Sequence, residues 1–102
     1  MKLEHWDTQR DGALSETVMR DKLVTLGYRV TRYIYPPGTV FGDHSHSVDK
    51  IDGVLSGRFR MRMQGETVVL EAGDLLWVPK NVVHSAEVVG VDAVVSLDAV
   101  RA

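Results

Sequence analysis

The spacing of apolar and polar positions changes once along the chain, at Gly27. Before it, Val18, Met19, Leu23 and Leu26 recur at helical spacing and predict a single apolar stripe. Ser15 fits the N-cap, Glu16 and Asp21 lie towards the positive end, and Gly27 fits a left-handed C-cap. One short helix from Ser15 to Leu26 is therefore expected. The preceding residues, Met1 to Gly12, have no clear period; Trp6 is expected to anchor them to the body of the protein. After Gly27, the stretch Tyr28 to Tyr35 is rich in β-branched and aromatic residues, and Pro36-Pro37-Gly38 ends it as a turn. Further short strands are expected near 39–46, 50–56, 58–63, 66–70, 74–79, 82–88 and 91–98. The breakers between them are Gly57, Gln64-Gly65, Ala72-Gly73, Pro79-Lys80-Asn81 and Gly90. Many short strands at close spacing predict an all-β fold, an antiparallel sandwich or small barrel.

Within this pattern, Arg58-Phe59-Arg60-Met61-Arg62-Met63 alternates without a break. Its odd positions should face the core and its arginines the solvent, which is enough to account for the arginine row without a ligand. Tyr33, Tyr35, Phe41, Phe59, Met61, Met63, Leu76 and Trp77 are expected to line or close the interior. Such a wall suits a small-molecule pocket and also any apolar core.

At 102 residues the chain is read as one domain, split into an arm and helix over 1–27 and a β-structure over 28–102. It has no cysteine, which excludes disulfides, thiolate metal sites and thiol nucleophiles. The net charge of −2, with both signs mixed, gives no reason to expect nucleic acid or an anionic membrane as partner. No apolar run is long enough for a membrane span and Met1 to Gly12 lack an apolar signal core, so a soluble, cytoplasmic protein is expected.

The chemistry concentrates in GTVFGDHSHSVDKIDGVLSG, Gly38 to Gly57. It sets His44 and His46 two apart in an extended segment, where alternation points both imidazoles to one side. A second stretch, Gly73 to Val89, adds His84. Three neutral imidazoles converging inside a β-structure make a ready metal site.

These residues resemble the two motifs of the cupin superfamily. The first runs glycine, five residues, His-x-His, a glutamate and a closing glycine; Gly38, His44, His46 and Gly57 match it. The second runs glycine, five residues, Pro-x-Gly and a histidine; Gly73, Pro79 and His84 match it. The resemblance implies a single-domain antiparallel β-barrel of the cupin, jelly-roll type, with His44, His46 and His84 as ligands of a divalent transition metal such as iron, nickel, zinc or manganese. It leaves the reaction open.

Three positions depart from the motifs. Asn81 replaces a glycine, and asparagine tolerates the left-handed backbone such a turn can demand. Val88 replaces an asparagine that is not a ligand. Lys50 stands where the family has its glutamate ligand, and an ammonium repels a cation instead of binding it. If alternation holds, Lys50, Asp52, Val54 and Ser56 share the cavity face, while Asp43 and Asp49 point elsewhere. Asp52 is then a displaced ligand or the partner of Lys50, and both residues are candidate catalytic groups.

Three functions compete. The first is a metal-dependent dioxygenase or isomerase acting on a small anionic or carbonyl-bearing substrate; some cupin dioxygenases resemble a three-histidine site. The second is a metal-free, epimerase-like cupin in which His46 or His84 works with Asp52 while Lys50 stabilises an enolate. The third is a non-catalytic small-ligand module, for which Ser56 and Ser85 are possible contacts. The resemblance also implies a homodimer.

Overall fold

The computed structural model describes Met1–Ala102. Its elements are β1 (Leu3–Glu4), α1 (Thr8–Asp11), α2 (Glu16–Thr25), β2 (Tyr28–Tyr35), β3 (Val40–His44), β4 (Lys50–Ser56), β5 (Arg58–Met63), β6 (Glu66–Leu70), β7 (Leu75–Val78), β8 (His84–Val89) and β9 (Val94–Arg101). The strands form two antiparallel sheets, ordered β1-β7-β4-β9-β2 and β3-β8-β5-β6. No ladder joins them, so the expected closed barrel is replaced by an open two-sheet sandwich. At the β2–β3 corner, Pro36 and Pro37 supply no backbone N–H to carry pairing from one sheet into the other.

Helix α2 starts as its sequence requires, with the Ser15 hydroxyl accepting from the Val18 N–H at 3.1 Å. It lies on the outer face of the five-stranded sheet. Met19 and Leu23 are buried there with Ile51, Leu75, Leu97 and Ala99. Each of the larger side chains among these, Ala99 apart, stabilises the fold by roughly 1.5–3 kcal/mol. Leu26, expected in the same stripe, is exposed because the helix ends before it. The second core lies between the sheets and includes Val54, Phe59, Met61, Met63, Leu76 and Val88. The arginines between those odd positions of β5 face outward, and Arg60 pairs with Glu87 at 2.6 Å.

Strand β4 belongs to both cores. Lys50, Asp52 and Val54 face inward, while Ile51 and Gly53 lie beneath α2 and are equally buried. At Gly53 a Cβ would come within 2.9 Å of Met19 Sδ, so the absence of a side chain lets the helix close on the sheet.

Two elements of the N-terminal arm had no period to announce them. β1 pairs Leu3 with Leu76 and Glu4 with Leu75. The single turn α1 is capped by Asp7, whose carboxylate accepts from the Gln9 and Arg10 N–H groups. Lys22 on α2 bonds to Asp11 at 2.9 Å and also pairs with Glu4, joining the arm to the helix. Trp6 packs into the outer core, as its isolation in the sequence suggested. Strand β9 begins at Val94 instead of residue 91, because Val91, Asp92 and Ala93 complete the turn that Gly90 opens.

Trp6 depends on Gly73. That residue has φ +91°, and a Cβ on it would sit 2.5 Å from Trp6 Cβ. Gly73→Ala should therefore destabilise the protein by about 2 kcal/mol or more, read as a lower urea midpoint at unchanged slope.

Candidate metal centre

The three histidines come from two elements and one loop. His44 ends β3 and is the direct cross-strand partner of His84, the first residue of β8. His46 lies past the end of β3, where the chain is already irregular. Its carbonyl accepts from the Asn81 N–H at 2.7 Å, which ties this loop to the β7–β8 turn. Asn81 itself has φ +64°, the left-handed conformation foreseen for it.

Simple alternation would have sent Phe41 and His44, three residues apart, to opposite faces. A bulge between them corrects this: Phe41 pairs with Ala86 and His44 with His84, three steps on one strand against two on the other. Asp43, beside the bulge, is exposed and borders both the inner cavity and the outer groove of Arg60 and Arg62.

One ligand-type nitrogen from each ring lies within 4.8 Å of the others. The tautomers are set by the chain itself. His44 Nδ1 lies 2.6 Å from the Gly42 carbonyl and His84 Nδ1 lies 2.9 Å from the Val82 carbonyl. Each Nδ1–H donates to its carbonyl, which leaves Nε2 of both rings with a free lone pair. His46 Nε2 is buried with no hydrogen-bond partner. Burial, followed by the nearby Lys50 charge and the other two rings, lowers the pKa of His46. Burial likewise lowers that of His84, against a raising contribution from its bond to Val82. Both shifts favour the neutral ring, the form that can donate a lone pair.

The cluster borders a cavity of about 610 Å³ at the open end of the sandwich. Tyr35, Phe41, Phe59 and Met61 line it as expected. Leu76 and Met63 lie in the interior as expected, in the inner core away from the cavity, whereas Tyr33 is exposed and Trp77 packs on the outer face under Lys2. Ser56 and Ser85 do not reach it either. A register shift after Val54 takes Ser56 off the face it was expected to share, and Ser85 borders the outer arginines. Asp49 stays in the loop, where its carboxylate accepts from the Lys80 N–H at 2.8 Å.

Lys50 and Asp52 both line the cavity, together with a residue that the sequence reading missed, Asp98 on β9. Lys50 Nζ donates to Asp98 Oδ2 at 2.8 Å and lies 3.7 Å from Asp52 Oδ1. Burial works against the ammonium, but the two carboxylates outweigh it and raise the Lys50 pKa. Asp52 is buried beside Asp98, its cross-strand partner. Desolvation, partly offset by Lys50, pushes its pKa up to about 6.

A cupin-domain family model matches residues 31–100. The chain belongs to the cupin family. No curated protein sequence matches this cupin at a significant level. Among solved structures, a predicted oxalate decarboxylase from Thermotoga maritima is similar at 25% identity and TM-score 0.66, over 97% of this chain and 77% of that one. A structure described under DMSP lyases RdDddP and RnDddQII is similar at 28% identity and TM-score 0.67, over 74% of this chain and 38% of that one. A Streptococcus pyogenes protein of unknown function shares the fold at 24% identity and TM-score 0.65, over 74% of this cupin and 64% of its own chain. The cupin thus spans less than two thirds of the last two. None of its helices is long and apolar enough to cross a membrane.

The Asp52 shift has a pH signature. A carboxyl whose folded pKa lies above its unfolded value of 3.8 keeps its proton longer in the folded state. Its contribution favours folding below about pH 4 and is lost as pH rises towards 6. In metal-free protein, the fall in stability from pH 4 to pH 7 should be smaller in Asp52→Asn by roughly 3 kcal/mol. Urea unfolding at the two pH values measures this.

Proposed function

We propose that this cupin binds one divalent transition metal through His44, His46 and His84 and carries out isomerase-type proton transfer on a small chelating anion. The observation that carries the metal reading is the partnerless, buried Nε2 of His46, beside two rings whose Nδ1 groups are already used on backbone carbonyls. An orphaned buried nitrogen is costly unless something fills its lone pair. Neutral imidazoles suit iron, nickel, zinc or manganese, and the absence of cysteine disfavours softer ions. When bound, the ion would act as a Lewis acid towards an oxygen of the substrate.

The remaining roles fall to the cavity wall. Asp52, with a pKa near 6, both takes and returns a proton close to neutral pH. Lys50, kept charged by its two carboxylates, would stabilise negative charge developing on the substrate. Burial raises the Tyr35 pKa and so keeps its hydroxyl as a donor. Phe41, Phe59 and Met61 exclude water. Similarity to a protein named as a DMSP lyase and to a predicted oxalate decarboxylase favours small-molecule chemistry of this kind over storage or structure. A dioxygenase would use the same ligands but has no need of a carboxyl titrating near neutrality.

Elemental analysis of protein purified without a His-tag or chelator should give about one transition metal per chain, lost in the His44→Ala/His46→Ala variant. No uptake after reconstitution with iron, nickel, zinc or manganese would sink the metal reading and leave the metal-free His/Asp/Lys cluster in its place. Deuterium exchange from solvent into keto-acid and diketone candidates, followed by NMR beside oxygen uptake, separates isomerase from dioxygenase. Asp52→Asn should retain metal while slowing the exchange by about 100-fold or more.

A further inference from the structure

We propose that Asp98 is the positioning residue that makes a lysine compatible with the metal centre: it takes the Lys50 ammonium into a buried ion pair, and the strength of that pair sets the metal affinity of the three histidines. The inference rests on the metal reading above and adds a residue outside both cupin motifs.

Lys50 and the three histidines line one cavity, and Lys50 is the only lysine or arginine in that wall. A free ammonium there would oppose a divalent ion directly. Packing alone does not fix the amine. Besides the main cavity of about 610 Å³, Lys50 borders a second one of about 270 Å³ formed with Tyr28, Trp77 and Val78. The carboxylates of Asp98 and Asp52 beside Nζ hold it in place.

Two acids are available, and they are unequal. Asp98 accepts a hydrogen bond at 2.8 Å, whereas Asp52 stands off at 3.7 Å. Burial also drives Asp52 towards its neutral form, which weakens its hold further. Asp98 therefore makes the direct hydrogen-bonded pair with Lys50, while Asp52 acts on it through charge from farther off. Sheet register makes this possible, since Asp52 and Asp98 are direct partners on adjacent strands and Lys50 reaches across from the same face of β4.

The test is calorimetric titration of Zn²⁺ or Ni²⁺ into metal-stripped protein at fixed pH, with folding checked by circular dichroism. Asp98→Asn should weaken binding by about tenfold or more, because the ammonium loses its main counter-charge. Lys50→Gln should tighten binding by a similar factor. The double variant Lys50→Gln/Asp98→Asn should return to within about threefold of the parent, since it removes one charge of each sign. If Asp98→Asn leaves a lysine too poorly paired to fold, Lys50→Gln decides alone. Unchanged affinity in Lys50→Gln, or in a folded Asp98→Asn, would overturn the proposal. Binding that is equally absent from the parent and from His44→Ala/His46→Ala would instead overturn the metal reading itself, and uptake gained only in Lys50→Glu would show that Asp98 does not neutralise the lysine.

Discussion

The structure depends on the burial of β4 on both faces. On one side Ile51 and Gly53 hold α2 against the sheet; on the other, Lys50, Asp52 and Val54 face the cavity and inner core. A strand fixed this way has no freedom to slip, because a one-residue shift would put charges under the helix and apolar groups into the cavity. The backbone that carries the charged cluster is therefore held as firmly as the core around it. Lys50 is tolerable in such a place because β9 brings Asp98 alongside, whereas Asp52, beside that like charge, is offset only by Lys50.

The wall and the imidazole cluster are built on different principles. The charged part of the wall, Lys50, Asp52 and Asp98, depends on long-range pairing between the first sheet's strands, whereas Phe41, Phe59 and Met61 come from the second sheet. The imidazoles depend on the bulge in β3, the cross-strand pair His44–His84 and the bond from the Asn81 N–H to the His46 carbonyl. The two constructions meet only across the cavity, each carried by its own sheet or by loops at its edge.

Much of this was legible in the sequence where the signal is local. The two histidine stretches, the Ser15 cap, the alternation of β5 and the left-handed backbone of Asn81 each follow from residues within a few positions of one another. Asp98 was not legible, for two reasons. Its contact with Lys50 spans 48 residues and exists only through the β4–β9 register. The apolar run around Val91 also reads as strand, which places residue 98 at a strand end when β9 in fact begins at Val94. The bulge in β3 was not legible either, since nothing in Phe41-Gly42-Asp43-His44 marks it beyond the glycine. Trp77 faces outward because the phase of β7 is set by its neighbours β1 and β4. The open sandwich, in place of a barrel, reflects pairing at the sheet corners, which strand spacing does not encode.

His44 and His84 are each oriented by a carbonyl two residues earlier in the chain, not by an acid across the cavity. Each imidazole thus comes with its own bracket. The cavity wall can change its charges and its shape without disturbing how those two rings are aimed. Such an arrangement separates the part of the protein that holds its chemistry from the part that selects what the chemistry acts on. A lysine can then stand in the cavity wall while the rings beside it keep their orientation.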